Sequence, residues 1–289
     1  MKKVLITGAT GNVGLAVLRS LYKSDHQLNI IAGVKHIEKN EESLMRYPMS
    51  KIRFDFNEKA TFETAFENCD VLFLLRPPQI SDVEKYFKPL IIAAKQKGIE
   101  HIVFLSVQGA EKSKFIPHHK IEKLIVESKI PYTFLRPAYF MQNFITTLRS
   151  DLVFKKRIFL PAGNAKFTLV DVNDIGNVAA LIISNTTKHR NVCYELTCNE
   201  KLTFKEMAAK LSIGLGVNIK YTAPSLFQFY RAKRKEGIAR PLIFVMMMLH
   251  YLPRFQREPK ITQCIKNITG NEPITFEAFI HNKKNLLTQ

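Results

Sequence analysis

No stretch of this 289-residue chain is apolar over a membrane-spanning length, and its four cysteines show no Cys-x-x-Cys spacing. The first absence excludes a bundle of membrane-crossing helices. The second removes a common zinc and redox signature and fits reduced thiols in a cytoplasmic protein. Cys193 and Cys198 read as two β-sheet cysteines of a core, with a redox pair as the alternative. No third ligand stands at metal spacing beside the paired histidines, so no metal is expected. Met1-Lys2-Lys3 leads into an apolar run that glycine ends, too short for a signal peptide. Internal repeats and low-complexity linkers are missing too, so the second half is expected to pack onto the first.

Acidic residues are scarce. Asp and Glu number 25 against 43 Lys and Arg, a formal net charge of +18. Such an excess suits nucleic acid, an anionic membrane or an anionic cofactor. The cations are scattered, however. The densest clusters, Lys155-Lys156-Arg157 and Arg231-Ala232-Lys233-Arg234-Lys235, lack interleaved stacking aromatics. They read as a solvated basic surface, and neither nucleic acid nor a membrane is expected as a partner.

The most informative segment is Gly8-Ala9-Thr10-Gly11-Asn12-Val13-Gly14. A short apolar run with β-branched residues precedes it, and a helical pattern follows. Strand, glycine turn and helix together set backbone N–H groups and the positive helix end against a phosphate. Glycine is needed where a side chain would block that approach or where φ is positive. This predicts dinucleotide binding at Gly8, Thr10, Gly11, Asn12, Val13 and Gly14.

Strands and helices then alternate, which predicts a parallel sheet wound on both faces. Strands are expected over residues 28–34, 51–56, 70–75, 101–106 and 132–135, with helices over 83–97 and 117–129. Beyond residue 137 the pattern loosens. Short strands are expected over 167–170 and 192–197, and helices over 172–184, 204–213 and 275–281. Residues 241–252 are apolar all round between Pro241 and Pro253, too short to span a bilayer. They predict a buried or pocket-lining helix, or alternatively an interfacial or dimer helix. The fold class is therefore α/β: a Rossmann-type doubly wound parallel sheet over residues 1–155, with a return segment near 166–190, and a smaller α+β lobe for substrate over 156–289.

Strand ends carry the candidate chemistry. NAD-binding folds place an acid after the second strand, and NADP-binding folds a cation. Here the strand runs into Lys35-His36 with no acid before Glu38, so NADPH is preferred and NADH is the alternative. Asp55-Phe56 closes the third strand, within reach of an adenine or as a plain turn. Leu75-Arg76-Pro77-Pro78 forces an extended exit from the fourth strand; Arg76 faces either a pyrophosphate or solvent. Ser106-Val107 closes the fifth strand, where Ser106 touches a substrate oxygen or the nicotinamide, or else caps a turn. On the helix from residue 117, a period of about 100° per residue puts His119 on the wet face and His118 at the edge of the apolar face. Glu122 is the i+4 neighbour of His118, so His118 is the candidate to protonate a reduced product, or else a boundary histidine with a surface partner.

These segments, together with Tyr132-Thr133-Phe134-Leu135-Arg136-Pro137-Ala138-Tyr139-Phe140-Met141-Gln142-Asn143 and Phe159-Leu160-Pro161-Ala162-Gly163, resemble the NmrA-like group of atypical short-chain dehydrogenases/reductases. The resemblance spans nearly the whole chain. That group includes NAD(P)H-dependent quinone reductases and dinucleotide-sensing regulators. It implies a Rossmann core and a smaller lobe with a substrate cleft between them. Arg136, Pro137, Ala138, Tyr139 and Phe140 would wall the nicotinamide side. The wider superfamily moves a proton with a Tyr-x-x-x-Lys pair. Here the lysine position falls on His118 and the tyrosine position on Lys114, so the pair is missing. Reduction of a quinone or similar conjugated electrophile by NADPH is the expected activity. A regulatory protein that senses NAD(P) with the help of a protein partner is the alternative, and a nucleotide-sugar epimerase or dehydratase a further one. A monomer or homodimer is expected.

Overall fold

A computed structural model of the chain describes residues 1–23, 27–38 and 42–288. It divides into two compact units that interleave along the sequence. The first comprises Met1–Pro137, Val172–Leu196 and Cys264–Asn271; the second comprises Ala138–Asp171, Thr197–Gln263 and Glu272–Gln289. Residues 138–155, expected in the first, thus fall in the second, and residues 192–196 and 264–271 return to the first.

In the first unit β1 (Lys2–Thr7), α1 (Asn12–Lys23), β2 (Leu28–Val34), α2 (Glu42–Met45), β3 (Ser50–Arg53), α3 (Ala60–Ala65), β4 (Val71–Leu75), α4 (Val83–Gln96), β5 (His101–Leu105), α5 (Pro117–Ser128) and β6 (Tyr132–Pro137) alternate as the pattern predicts. The third strand is shorter than expected. It stops at Arg53, and Phe54 and Phe56 beyond it are both buried in the core.

The chain then enters the second unit through β7 (Tyr139–Phe140), α6 (Arg149–Lys155), β8 (Arg157–Phe159) and β9 (Lys166–Val170). It returns to the first for α7 (Val172–Ser184) and β10 (Val192–Leu196). The rest is β11 (Lys201–Thr203), α8 (Phe204–Leu215), β12 (Lys220–Thr222), α9 (Leu226–Lys235), α10 (Arg240–Tyr251), α11 (Cys264–Thr269), α12 (Phe276–Asn282) and α13 (Lys284–Thr288). Of these only α11 belongs to the first unit.

The main sheet has seven strands in the order β10-β6-β5-β4-β1-β2-β3, every pair parallel. The order reverses between β1 and β4, the place where open parallel sheets bind ligands at their C-terminal edge. Thr7 ties these two strands: its hydroxyl donates to the Phe73 carbonyl at 3.0 Å and accepts from the Leu75 N–H at 2.9 Å. On one face α1 packs against α7 so closely that a Cβ on Gly176 would meet the Ala16 carbonyl oxygen at 2.5 Å. On the other face lies a core rich in phenylalanine, including Phe54, Phe62, Phe66, Phe87 and Phe104.

The second unit has its own core, in which Phe144, Phe204, Phe229, Phe276 and Phe279 are fully buried. Thr203 and Glu206 form a capping box that starts α8. Thr275 caps α12 through the Ala278 N–H. Among the described residues no helix is long and apolar enough to cross a membrane, and no group of three His, Cys, Asp or Glu side chains is placed to hold a metal.

Several expectations need correction. Of the pair Cys193 and Cys198, the first is exposed and the second lies in a core. The basic clusters are not merely solvated. Lys155 and Arg157 reach Asp151 at 3.2 and 3.1 Å, Lys233 is buried against the same carboxylate, and Glu236 pairs with Lys233 at 2.8 Å. The helix α10 is buried on one side alone: Ile243, Met246 and His250 face the core, while Leu242, Phe244, Val245, Met248, Leu249 and Leu252 are exposed.

Candidate functional site

Because every strand of the main sheet runs the same way, the ends of β1 to β5 share one edge. Most of the expected site residues stand there. Gly8 takes φ +62°, and its carbonyl accepts from the Gly11 N–H at 3.0 Å, closing the turn. A Cβ on Gly14 would collide with the Gly8 carbonyl oxygen. The first backbone N–H groups of α1 have no acceptor within the helix. Thr10, Gly11 and Asn12 are exposed, whereas Val13 and Gly14 are buried beneath them. A glycine cradle with free helix N–H groups fits a pyrophosphate, and a side chain at Gly14 would destroy it. Leu75 closes one side, with its Cδ2 3.2 Å from where a Gly8 Cβ would lie.

At the ends of β2 and β3, Lys35 Nζ lies 3.3 Å from Asp55 Oδ2. Burial works against the Asp55 charge, yet bonds from the Asn57 backbone and side chain, together with the Lys35 ammonium, hold this carboxyl below its ordinary range. Lys35 is mostly exposed and His36 is exposed beside it. Phe56 does not point outward. Its ring packs with Phe54 at 5.2 Å and Phe87 at 5.3 Å in the core, so of this pair only Asp55 is at the surface of the site.

Arg76 is half-buried, with its guanidinium held by its own loop. Its guanidinium donates to the carbonyls of Pro77 (3.1 Å), Pro78 (3.2 Å) and Ile80 (2.6 Å), folding the exit of β4 over itself. Its Nε–H donates to His118 Nε2 at 3.3 Å. His118 therefore has Arg76 as its partner and not Glu122. Burial, reinforced by the Arg76 charge, pushes the His118 imidazole down to about 3. Nε2 accepts the bond from Arg76, so an arginine stands beside the ring where the i+4 spacing offered a carboxylate. His119 is half-buried, and its Nδ1 lies 2.9 Å from the Ala110 carbonyl.

Glu122 turns inward. It is buried and receives Arg136 Nε at 3.0 Å and a second guanidinium nitrogen at 2.7 Å, while Ser106 Oγ donates to it at 2.5 Å. Arg136 also pairs with Glu111 at 3.0 Å. Ser106 is thus engaged with a carboxylate, and next to it the Ser106 and Gln108 N–H groups bond to the Leu135 and Pro137 carbonyls, with Val107 half-buried between them.

Tyr139 and Phe140 belong to the second unit, as does the buried Ala138, whereas Pro137 ends β6 in the first. The Tyr139 ring packs edge-on with Phe167, Phe204 and His250. Because His250 Nδ1 lies 2.6 Å from the Met246 carbonyl, it carries the proton there, and Nε2 accepts from the Tyr139 hydroxyl at 3.2 Å. Burial raises the Tyr139 phenol and pushes His250 down to about 4.

Residue pattern gave no sign of Glu111 or Thr7, and it offered Glu122 to His118 where the structure pairs it with Arg136. The usable signal was weak: a glutamate one residue from the apolar stripe of α5, and an arginine inside a strand. Both anticipate a buried pair.

The model of the NmrA-like family matches residues 1–268. The chain belongs to this family. Among its curated relatives is the Prestalk A differentiation protein A of Dictyostelium discoideum, 28% identical, with 96% of this chain and 90% of the relative covered. Quinone oxidoreductase 2 of Escherichia coli is 27% identical, over 81% of this chain and 82% of the relative. Among solved structures, the Citrobacter sp. triphenylmethane reductase complexed with NADP(H) superposes with a TM-score of 0.85 at 24% identity, covering 97% of this chain and 99% of that one.

Proposed function

We propose that the protein is an NADPH-dependent oxidoreductase that reduces a quinone or a similar small conjugated electrophile. The single observation that carries the reading is the glycine turn at the β1/β4 reversal, where Gly14 lies too close to the Gly8 carbonyl to bear a side chain. In this reading Gly11, Asn12 and Val13 hold the pyrophosphate through the N-terminus of α1, Lys35 meets the 2′-phosphate and Asp55 lies beside the adenine. When bound, the coenzyme supplies hydride. Quinone oxidoreductase 2 and the triphenylmethane reductase act, by their names, on conjugated acceptors, and the latter holds NADP(H).

The protein's own contribution is orientation. Of the two expected catalytic residues, Ser106 is spent on Glu122 and His118 is neutral beside Arg76. A conjugated acceptor suits such a site: its product oxygens take protons from water, and catalysis rests on placing the reactants. Alcohol oxidation, as a nucleotide-sugar epimerase or dehydratase requires, finds no free acid–base pair at this edge among the described residues. The same absence favours a second reading, a dinucleotide sensor without turnover. NADPH absorbance followed with a panel of quinones separates the two. Turnover well above the enzyme-free rate is expected. Tight NADPH binding without turnover of any acceptor would leave the sensor, and no binding of either coenzyme would remove both.

A further inference from the structure

The helix α10 has no polar face. From Pro241 to Pro253 no side chain other than His250 is ionisable below the range of tyrosine, and His250 is buried. At about 100° per residue, Ile243, Met246 and His250 fall together on one side, and Leu242, Phe244, Val245, Met248, Leu249 and Leu252 fall on the other. That outer set is 43 to 59% exposed. A helix that is apolar all round is normally covered on all sides. Here half of it is open.

What borders this face says what covers it. Between residues 223 and 258 the chain carries seven Lys or Arg residues and two acids, Glu236 and Glu258, the latter paired with Lys166 and Lys201. Glu236 is already neutralised by Lys155 and by the buried Lys233. Among the described residues, Arg231, Arg240, Arg254 and Arg257 have no carboxylate partner. Arg240 begins the helix and Arg254 follows its end, so unpaired cations stand at both ends of one apolar stripe. Arg231 lies on α9, which packs beside it through Tyr230 and Phe244 at 5.8 Å. At the far end Arg254 lies over the Tyr251 and Phe255 rings, at 4.9 and 5.9 Å.

We propose that the outer face of α10, with the arginines that bracket it, docks the protein on the surface of an anionic lipid bilayer. The match is one of charge and of shape. An in-plane helix buries leucine, methionine and phenylalanine at the acyl boundary while flanking cations stay among the headgroups, and aromatic rings suit the zone between. A second copy of the chain fits less well, because it would set the same arginines against each other with no acid on the face to offset them. The sequence reading expected no membrane partner because it weighed the scatter of charge along the chain; folding is what gathers these arginines around an exposed apolar stripe. The inference stands on this face alone and does not depend on the coenzyme reading.

The test is co-sedimentation of the full-length protein with vesicles of phosphatidylcholine alone or mixed with phosphatidylglycerol. Binding about tenfold tighter to the mixed vesicles is expected, weakening as salt is raised. The variant Val245→Glu/Leu249→Glu should lose this binding while keeping its circular dichroism and its NADPH titration, since both positions are already exposed. The variant Arg254→Gln/Arg257→Gln should keep weak binding and lose the preference for anionic lipid. No sedimentation with anionic vesicles would overturn the proposal, as would equal binding by Val245→Glu/Leu249→Glu. Lipid-free self-association abolished by that variant, without vesicle binding, would assign the face to a second copy instead.

Discussion

In the first unit a buried carboxylate, Glu122, shares a single guanidinium with Glu111; in the second unit a buried carboxylate, Asp151, is held by three cations. Arg136 reaches Glu122 at 2.7 Å and Glu111 at 3.0 Å, with Ser106 supplying the remaining hydrogen bond. Asp151 receives Lys155, Arg157 and Lys233, and burial of this carboxylate is outweighed chiefly by Lys233, so its carboxyl lies below the ordinary range. Burying ions is costly unless partners and hydrogen bonds compensate. The two clusters solve this problem with opposite redundancy. One cation serves two acids at the strand edge, where a site is proposed; three cations surround Asp151 in the second unit, and two of them are shared with Glu236. The first arrangement is the fragile one.

The largest effect should therefore come from Arg136→Leu. It strands Glu122 in a buried place, and a loss of about 3–5 kcal/mol in urea unfolding is expected. Adding Glu122→Leu should recover much of it, because the uncompensated charge goes too; an additive loss would show that the pair is not the cause. Lys233→Met tests the other cluster. Asp151 keeps Lys155 and Arg157, so a smaller loss of about 1–3 kcal/mol is expected. If Lys233→Met cost as much as Arg136→Leu, the contrast in redundancy would be wrong.

Acid should act on both units through histidine. Burial holds His118 near 3 and His101 and His250 near 4, against an ordinary 6.5. The unfolded chain therefore binds protons that the folded chain refuses. This stability is fully present above about pH 6.5 and is lost progressively as pH falls through 4 toward 3. Thermal midpoints measured between neutral and acid pH should fall along that window, and His118→Gln should flatten the slope. A midpoint that stays level down to pH 4 would contradict the buried neutral rings.

The smallest structural effect belongs to Lys35→Met. Its ion pair with Asp55 is largely exposed on the lysine side, so stability should change by less than about 0.5 kcal/mol. Calorimetric titration should nonetheless show NADPH bound roughly tenfold more weakly, the size of one lost charge-assisted hydrogen bond, with NADH unaffected. Equal losses for both coenzymes would move the 2′-phosphate elsewhere.

Much of the first unit is legible from neighbours in sequence. The glycine turn depends on residues six apart, and the strand at residues 28–34 and the helix at 172–184 follow from short-range pattern, so their bounds are found as expected. Site side chains at the same edge are legible only as positions. The i+4 rule offered Glu122 to His118, but a carboxylate beside the apolar stripe is better served by an arginine 14 residues on, which no local rule brings near. Likewise Phe56 sits at a strand end where a ligand contact is plausible, and aromatic packing with Phe54 and Phe87 takes it inward.

By itself the sequence determined the parallel α/β architecture, the phosphate turn and the cation after the second strand, because each is written in hydrophobic period, glycine placement or charge within a few residues. Tertiary structure alone decided which charges are buried together, that His118 is buried beside Arg76 and not beside a carboxylate, and that one side of α10 is left open. Those outcomes depend on groups 42, 14 and 82 residues apart meeting in space, and distance along the chain carries no record of such meetings.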